Sequence, residues 1–395
     1  MSNSNTVYIA VIGVGGVGAH FLGQLAALAQ VHTNISMILI SRSTKSLLGS
    51  PENPIPLSTW STVISPWFAD PSTTTAPDLP SSSTSTRLTS SSPALTIDQT
   101  LSFLQKIKPG KTILVDNTSD HSLASAYPSF LTAGISIVTP NKKAFSGTLS
   151  LWKSIQSSSY RPYAPYQDRG LIYHESSVGA GLPIISTLKD LIDTGDEVRR
   201  IEGVFSGTLS FLFNSFAPVD GAAGGGKWSE EVRKAKELGF TEPDPRDDLN
   251  GVDVARKLII LARLAGLEVE GVQSFSVESL IPKELEGVSS GEVFLERLGE
   301  FDERMEEVKE GARREGKVVR FVGSVDVVGK GVKVGLEKLG KGSPIAGLKG
   351  SDNIVSFYTK RYGDNPLVVQ GAGAGGAVTA MGVTADLIKV IQRIS

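Results

Sequence analysis

The 395-residue chain contains no cysteine and only four histidines, His20, His32, His121 and His174. The first absence removes disulfide frameworks, thiolate nucleophiles and thiolate-bound zinc. The histidines never fall at metal-ligand spacing, which argues against a zinc hydrolase or a zinc alcohol dehydrogenase. Catalysis is left to Lys, Asp, Glu, Tyr or Ser, or to a cofactor. No apolar run approaches the ~18 residues that cross a bilayer. Basic runs and basic patches interleaved with aromatics are also missing, and 39 Lys+Arg against 41 Asp+Glu leave a formal net charge of −2. Neither a membrane nor a nucleic acid is expected as a partner. The N-terminal "MSNSNTVYIAVIG" has no charged n-region and no cleavage site, so it does not read as a secretory signal, and a cytoplasmic setting is expected. The composition, 40% hydrophobic and 20% charged, is that of a soluble globular protein with two or three domains.

What is present begins with an apolar β-branched run, "VYIAVI" at 7–12, which predicts a buried strand. It runs into Gly13, Gly15 and Gly18 in G-x-G-x-x-G spacing, then a helix, then a second strand "ISMILI" at 35–40. A glycine turn alone is weak evidence. Between a strand and a helix it predicts a dinucleotide-binding βαβ unit, with a pyrophosphate at the helix N-terminus. The strands "TILVDNTS" (112–119) and "ISIVTPNK" (135–142) follow a Ser/Thr/Pro-rich stretch at 70–93 that reads as a flexible surface insertion. Ligands of open parallel sheets bind at the carboxyl ends of strands, so Asn117, Thr118, Ser119, Asn141 and Lys142 are placed for a nicotinamide ring.

A carboxylate at the end of the second strand would bind the ribose of NAD. Here Ser41-Arg42-Ser43 stands in its place, so Arg42 is expected to pair with a 2′-phosphate and NADP(H) to be preferred over NAD(H). The alternative is an ordinary surface arginine.

From about 150 the pattern changes. A charged amphipathic helix at 291–316 and a hairpin at 317–339 are predicted, with glycine clusters at 221–226 and 370–380. "TEPDPRDDLNGVDVARK" (241–257) is the densest charged stretch of interest. Asp244-Pro245 suggests an N-cap and first-turn proline, with Asp247 and Asp248 in a helix first turn, a bland role favoured for Asp244 and Asp248. At about 100° per residue, Asp253 and Lys257 share an arc of about 80° with Leu249, Ile260 and Leu264. That puts an acid and a lysine on an apolar face, while Arg256 and Arg263 form the solvated edge. A buried structural pair is one reading. A partly desolvated lysine that donates a proton is the other. With a hydride donor, Lys257 or Lys142 could protonate a developing alkoxide, and the acids could hold a substrate ammonium group.

These stretches resemble homoserine dehydrogenase in its short fungal form. The resemblance runs nearly end to end, through "VDNTS", "GISIVTPNKKAFS", "YHESSVGAGLPIIS", "TGDEVRRIEGVFSGTLSFLFN", "GFTEPDPRDDLNGVDVARK", "LKGSDN" and "QGAGAGGAVTA". It implies reversible reduction of L-aspartate 4-semialdehyde to L-homoserine, on the route to threonine and methionine. Under it, Glu242 and Asp253, with Asp247 as a further candidate, would bind the substrate. Lys257 would be the first-ranked acid–base lysine, and Lys142 would lie between nicotinamide and substrate. Gly13, Gly15, Gly16, Val17, Gly18, Arg42, Asn117, Thr118, Ser119, Lys142, Gly239 and Gly375 would line the cofactor. A monovalent cation, sodium in most of the family, would be held by Glu175 and the carbonyls of Val178, Ala180 and Leu182.

The implied fold is α/β: a Rossmann nucleotide-binding domain at 1–150, an α+β substrate and dimerisation domain with a mixed sheet at 151–345, and a segment at 346–395 returning to the nucleotide domain. A homodimer is implied, and a chain of this length leaves no room for an appended ACT-type domain or kinase. Three other classes are weaker. Aspartate semialdehyde dehydrogenases use a cysteine. Short-chain dehydrogenases need Tyr-x-x-x-Lys, and none of the eight tyrosines has a lysine four residues on. An NADP-sensing protein has no use for Lys142, Glu242, Asp253 and Lys257 together.

Overall fold

The computed structural model describes every residue except 1–4, 31–33, 78–87, 109, 161–167, 220–224 and 395. The chain divides into two compact units, residues 1–181 with 375–395, and residues 182–374.

The first unit is built on β1 (Val7–Ile12), β2 (Ile35–Ser41), β3 (Ser46–Leu48), β4 (Thr89–Ser91), β5 (Thr112–Asp116), β6 (Ser136–Val138) and β7 (Ile172–Tyr173), in the order β4-β3-β2-β1-β5-β6-β7. The five strands from β2 to β7 are parallel, and β3 and β4 add an antiparallel edge. Val7, Ile9 and Val11 of β1 are fully buried, as a central strand covered on both faces requires. They share one core with Phe21, Leu22 and Leu25 of the helix Gly16–Leu28, and with Ala380, Val383, Leu387 and Val390 of the helix Gly376–Ile394. Those last four recur at helical spacing and so form one apolar stripe. Gln24 ties the two helices, donating to the Ala377 carbonyl (3.1 Å) and accepting from the Thr384 hydroxyl (2.8 Å).

This unit extends past the expected limit at 150, because β7 still pairs with β6 through Ile137↔Ile172. The stretch at 70–93 is in part held down. Trp67 Nε1 donates to the Thr75 carbonyl, Ser72 and Thr73 donate to the Asp70 carboxylate, and Thr89–Ser91 forms β4. Its middle lies outside the described residues.

The second unit carries β8 (Val198–Val204), β9 (Lys317–Asp326), β10 (Gly331–Gly340), β11 (Asp352–Thr359) and β12 (Leu367–Ala372), in the order β10-β9-β8-β11-β12. Every neighbouring pair is antiparallel. The mixed sheet therefore belongs to the first unit, and the second is antiparallel, with β9–β10 and β11–β12 joined directly as sequential neighbours. The predicted hairpin is β9–β10, in register from Lys317↔Gly340 to Asp326↔Gly331. Since β11 and β12 complete this sheet, the returning segment starts at Gly375 instead of 346. The charged stretch at 291–316 is three pieces, Gly291–Arg297, Leu298–Phe301 and Asp302–Arg314. Most of the glycine loop at 221–226 lies outside the described residues.

Candidate active site

At the carboxyl ends of β1 and β5 the glycine turn meets Asn117 and Thr118. Gly13 has φ +94°, and a Cβ there would come within 2.8 Å of both residues. A Cβ on Gly18 would lie 1.9 Å from the Gly13 carbonyl oxygen. These two glycines are demanded by the fold of the turn itself. Gly15, Gly16 and Gly375 differ, since a Cβ on any of them would meet nothing within 4 Å. Gly15 and Gly16 leave open backbone at the start of a 13-residue helix, where the first N–H groups have no partner within the helix, and Gly375 does so just before the helix Gly376–Ile394. Neither polar atom of the Asn117 side-chain amide, both buried, has a hydrogen-bond partner. Open glycines, free helix N–H groups and an unsatisfied amide at the point where strand order reverses fit a dinucleotide. Val17 lies in the first turn of the same helix.

Arg42 is exposed and donates through Nη1 to the Phe68 carbonyl (3.0 Å). Lys45 turns inward instead, giving its ammonium to the carbonyls of Trp67, Asp70 and Thr73 at 2.6–2.9 Å over the Trp67 ring. Burial lowers its pKa.

The ends of β5 and β6 are joined by a buried network. Asp116 accepts from the Tyr127 hydroxyl (2.5 Å), from Asn141 Nδ2 (3.1 Å) and from the Thr118 N–H (2.7 Å), and its carbonyl accepts from Thr139 Oγ1 (2.8 Å). Burial raises the Asp116 pKa. This network fixes the strand ends that present Thr118, Ser119, Asn141 and Lys142.

In the second unit the charged stretch forms two helices, Arg246–Leu249 and Val252–Leu264. Gly251, at φ +72°, makes the break, and Asn250 Oδ1 accepts from the Val252 N–H at 2.8 Å. The single arc drawn through Leu249 is thus interrupted. Asp244 Oδ1 accepts from the Arg246 backbone N–H at 3.0 Å, the bond expected of a cap before Pro245. Asp244 also grips the Arg246 guanidinium, with Nη2 2.5 Å from Oδ2, and this holds its carboxyl below the usual range. Arg256 is exposed. Arg263, expected on the solvated edge, is only 4% exposed, gives its guanidinium to the Val269 and Glu270 carbonyls, and has its pKa lowered to about 10 by burial.

Asp253 and Lys257 meet as their spacing predicts. Lys257 is 8% exposed. Its Nζ lies 2.7 Å from Asp253 Oδ2 and donates to the Phe205 carbonyl at 2.6 Å. Phe205 precedes Ser206, whose side chain caps the helix Gly207–Phe216 by accepting from the Leu209 N–H. The lysine is therefore fixed between its acid and the entry to another helix.

Glu242 is exposed, and its N–H donates to Asp248 Oδ2 at 2.8 Å. The adjacent pair Asp247-Asp248 divides: Asp247 is exposed and Asp248 is half-buried, with Oδ1 2.9 Å from Thr208 Oγ1. The inward acid is Asp248, not Asp247. Thr208 and Asp248 are missed by local reading because they lie 40 positions apart. The one usable signal is a doubled acid on a helix, which cannot point both members the same way. Gly239 takes φ +74° just before this loop.

In the first unit Glu175 is buried, and its N–H donates to Asp386 Oδ2 at 2.7 Å. Lys389 Nζ lies 3.9 Å from Glu175 Oε2. Gly179 (φ +76°) and Ala180 (φ +54°) are consecutive left-handed residues, a conformation that re-aims carbonyls. Val178 is fully buried, and the Leu182 carbonyl accepts from the Ile184 N–H. Among the described residues no three His, Asp or Glu side chains gather to hold a metal ion. A buried carboxylate with turned backbone oxygens fits a hard monovalent ion better than a transition metal.

The fold and these groups define a nicotinamide-dependent oxidoreductase with a second, separate unit. Residues 13–160 match the family model of the homoserine dehydrogenase NAD binding domain, and residues 183–388 match that of homoserine dehydrogenase. The homoserine dehydrogenase of Emericella nidulans is 58% identical over 99% of this chain and its own full length, and that of Paracoccidioides brasiliensis is 56% identical over the same shares. A Candida auris protein whose crystal structure is described as of unknown function superposes with a TM-score of 0.85 at 43% identity, covering 99% of each chain. The chain belongs to the homoserine dehydrogenase family, oxidoreductases acting on a CH–OH group.

Proposed function

We propose that the chain interconverts L-aspartate 4-semialdehyde and L-homoserine, supplying threonine and methionine synthesis, with NADP(H) preferred over NAD(H). The observation that carries the reading is Lys257, enclosed and oriented by Asp253 and the Phe205 carbonyl. A bound nicotinamide supplies the hydride. Lys257 then donates a proton to the carbonyl oxygen as charge develops on it, and takes it back in the reverse direction. Glu242 and Asp253 bind the amino and hydroxyl end of the substrate as charged acceptors; Asp247, exposed beside them, is a secondary candidate. Lys142, at the end of β6, is assigned to the nicotinamide end of the reaction with Asn117, Thr118 and Ser119, and Gly239 and Gly375 are assigned to the cofactor.

Arg42 is assigned to the 2′-phosphate. Its exposed guanidinium and the absence of a carboxylate beside it support this. The Glu175 loop is assigned a structural sodium ion, with the carbonyls of Val178, Ala180 and Leu182. A homodimer through the second unit is part of the proposal, supported by the unpaired edge of β12 and its exposed Val368. Among the described residues no helix is long and apolar enough to cross a membrane. The direct test is NADPH consumption with L-aspartate 4-semialdehyde. Cofactor binding without turnover would refute the enzymatic reading.

A further inference from the structure

Thr208 Oγ1 lies 2.6 Å from the Phe240 carbonyl oxygen and 2.9 Å from Asp248 Oδ1. A hydroxyl has one hydrogen, and a carbonyl oxygen can only accept. If Thr208 donates to Phe240, the shorter contact, its remaining lone pair faces Asp248 Oδ1. Two acceptors at 2.9 Å repel unless one of them carries a hydrogen, and sharing the single hydroxyl hydrogen between both would weaken each contact. The other carboxyl oxygen, Oδ2, already accepts from the Glu242 N–H, which leaves Oδ1 as the protonated atom. We infer that Asp248 is held as a neutral carboxylic acid, donating from Oδ1 to Thr208 and accepting on Oδ2 from the Glu242 backbone.

The surroundings favour the neutral form. Burial comes first among the causes that raise the Asp248 pKa, and the acids Glu242 and Asp253 raise it further. No cation offsets them on the elements packed around it. Arg246, on the same short helix, is engaged by Asp244, and Lys257 by Asp253. The helix Gly207–Phe216, which contributes Thr208, has no charged residue. A proton here removes one negative charge from a cluster of three acids and leaves Glu242 and Asp253 as the two offered to a substrate ammonium. It also fixes the Glu242 backbone through a group that bears no charge. The proton itself rests on hydrogen-bond geometry; its consequence for the substrate rests on the reading that Glu242 binds the amino group. Asp248 is thus a positioning residue.

The test compares Asp248→Asn with Asp248→Ala in the full-length enzyme. The Asn amide reproduces the neutral acid, with Nδ2 donating to Thr208 and Oδ1 accepting from Glu242. Asp248→Asn should keep kcat/KM for L-homoserine within about threefold, while Asp248→Ala should raise KM about tenfold through the lost hydrogen bonds. Difference infrared spectra at neutral pH should show a protonated-carboxyl C=O band in the wild type that is missing from Asp248→Asn. A folded pKa above the unfolded one stabilises at low pH and loses that contribution as pH rises through the folded value. The wild type should therefore fall in Tm relative to Asp248→Asn as pH rises. Absence of the carboxyl band, or an Asn variant as impaired as the Ala variant, overturns the inference. Glu242→Gln separates the two layers: an unchanged substrate KM there removes the substrate role and leaves the proton, and its band, in place.

Discussion

Replacing Lys257 with methionine separates its part in the chemistry from its part in the fold. Two contacts disappear, the 2.7 Å approach to Asp253 Oδ2 and the 2.6 Å donation to the Phe205 carbonyl. The Asp253 side chain is 47% exposed, so its charge stays hydrated when the ammonium is gone, and the pair is worth about 1 kcal/mol or less. Losing a charged donor to the carbonyl costs about 1.5–3 kcal/mol. Relief of the ammonium's desolvation offsets much of this, and the methionine stem refills the same space. The net cost is about 1 kcal/mol, a Tm change of about 2–4 °C for a unit of roughly 200 residues. Removing a positioned general acid costs about 10²–10⁴-fold in rate, or about 2.7–5.4 kcal/mol. The expected result is a kcat lower by at least about 10² in NADPH oxidation with L-aspartate 4-semialdehyde, with NADPH affinity kept and Tm nearly so. A folded variant whose kcat stays close to wild type would remove Lys257 from the proton transfer.

Three further outcomes are expected. Arg42→Ala should lower the ratio of kcat/KM for NADPH to that for NADH by about tenfold or more, the worth of one charged phosphate contact; an unchanged ratio returns Arg42 to the ordinary surface. Glu242→Gln should raise KM for L-homoserine about 10–100-fold without changing KM for the cofactor, since a neutral amide loses about 1.5–3 kcal/mol of charged hydrogen bonding. Gly18→Ala should destabilise by about 3 kcal/mol and weaken cofactor binding, because its Cβ would sit 1.9 Å from a backbone oxygen; wild-type Tm and affinity in that variant would contradict the tight turn.

The nucleotide unit was the more legible half. β1 was predicted to the residue, because an apolar β-branched run before a glycine turn has few other solutions. Lys257 and Asp253 were legible because a four-residue spacing fixes a shared helix face whatever surrounds it. Arg263 was not: its partners are carbonyls beyond the end of its own helix, and a charged residue near such an end has the pattern of a solvated one. Asp244 was legible as a cap from its place before Pro245, whereas its second partner, the Arg246 guanidinium, was not, because nothing in that pattern fixes where a long side chain folds back. Asp248 escaped for a different reason. Its role depends on the first turn of another helix, and no local periodicity carries that information.

The helix Gly376–Ile394 supplies Ala380, Val383, Leu387 and Val390 to the core that holds β1. Residues 182–374 form the other unit in between. During vectorial synthesis, then, the first strand leaves the ribosome long before the surface that covers it. The second unit has all its strands available while the nucleotide unit still exposes an apolar face. At the ~5–20 residues per second of elongation, that interval lasts on the order of tens of seconds. The usual order, in which the N-terminal unit folds first, is reversed by connectivity alone, and chaperone demand should concentrate on the half of the molecule that was made first.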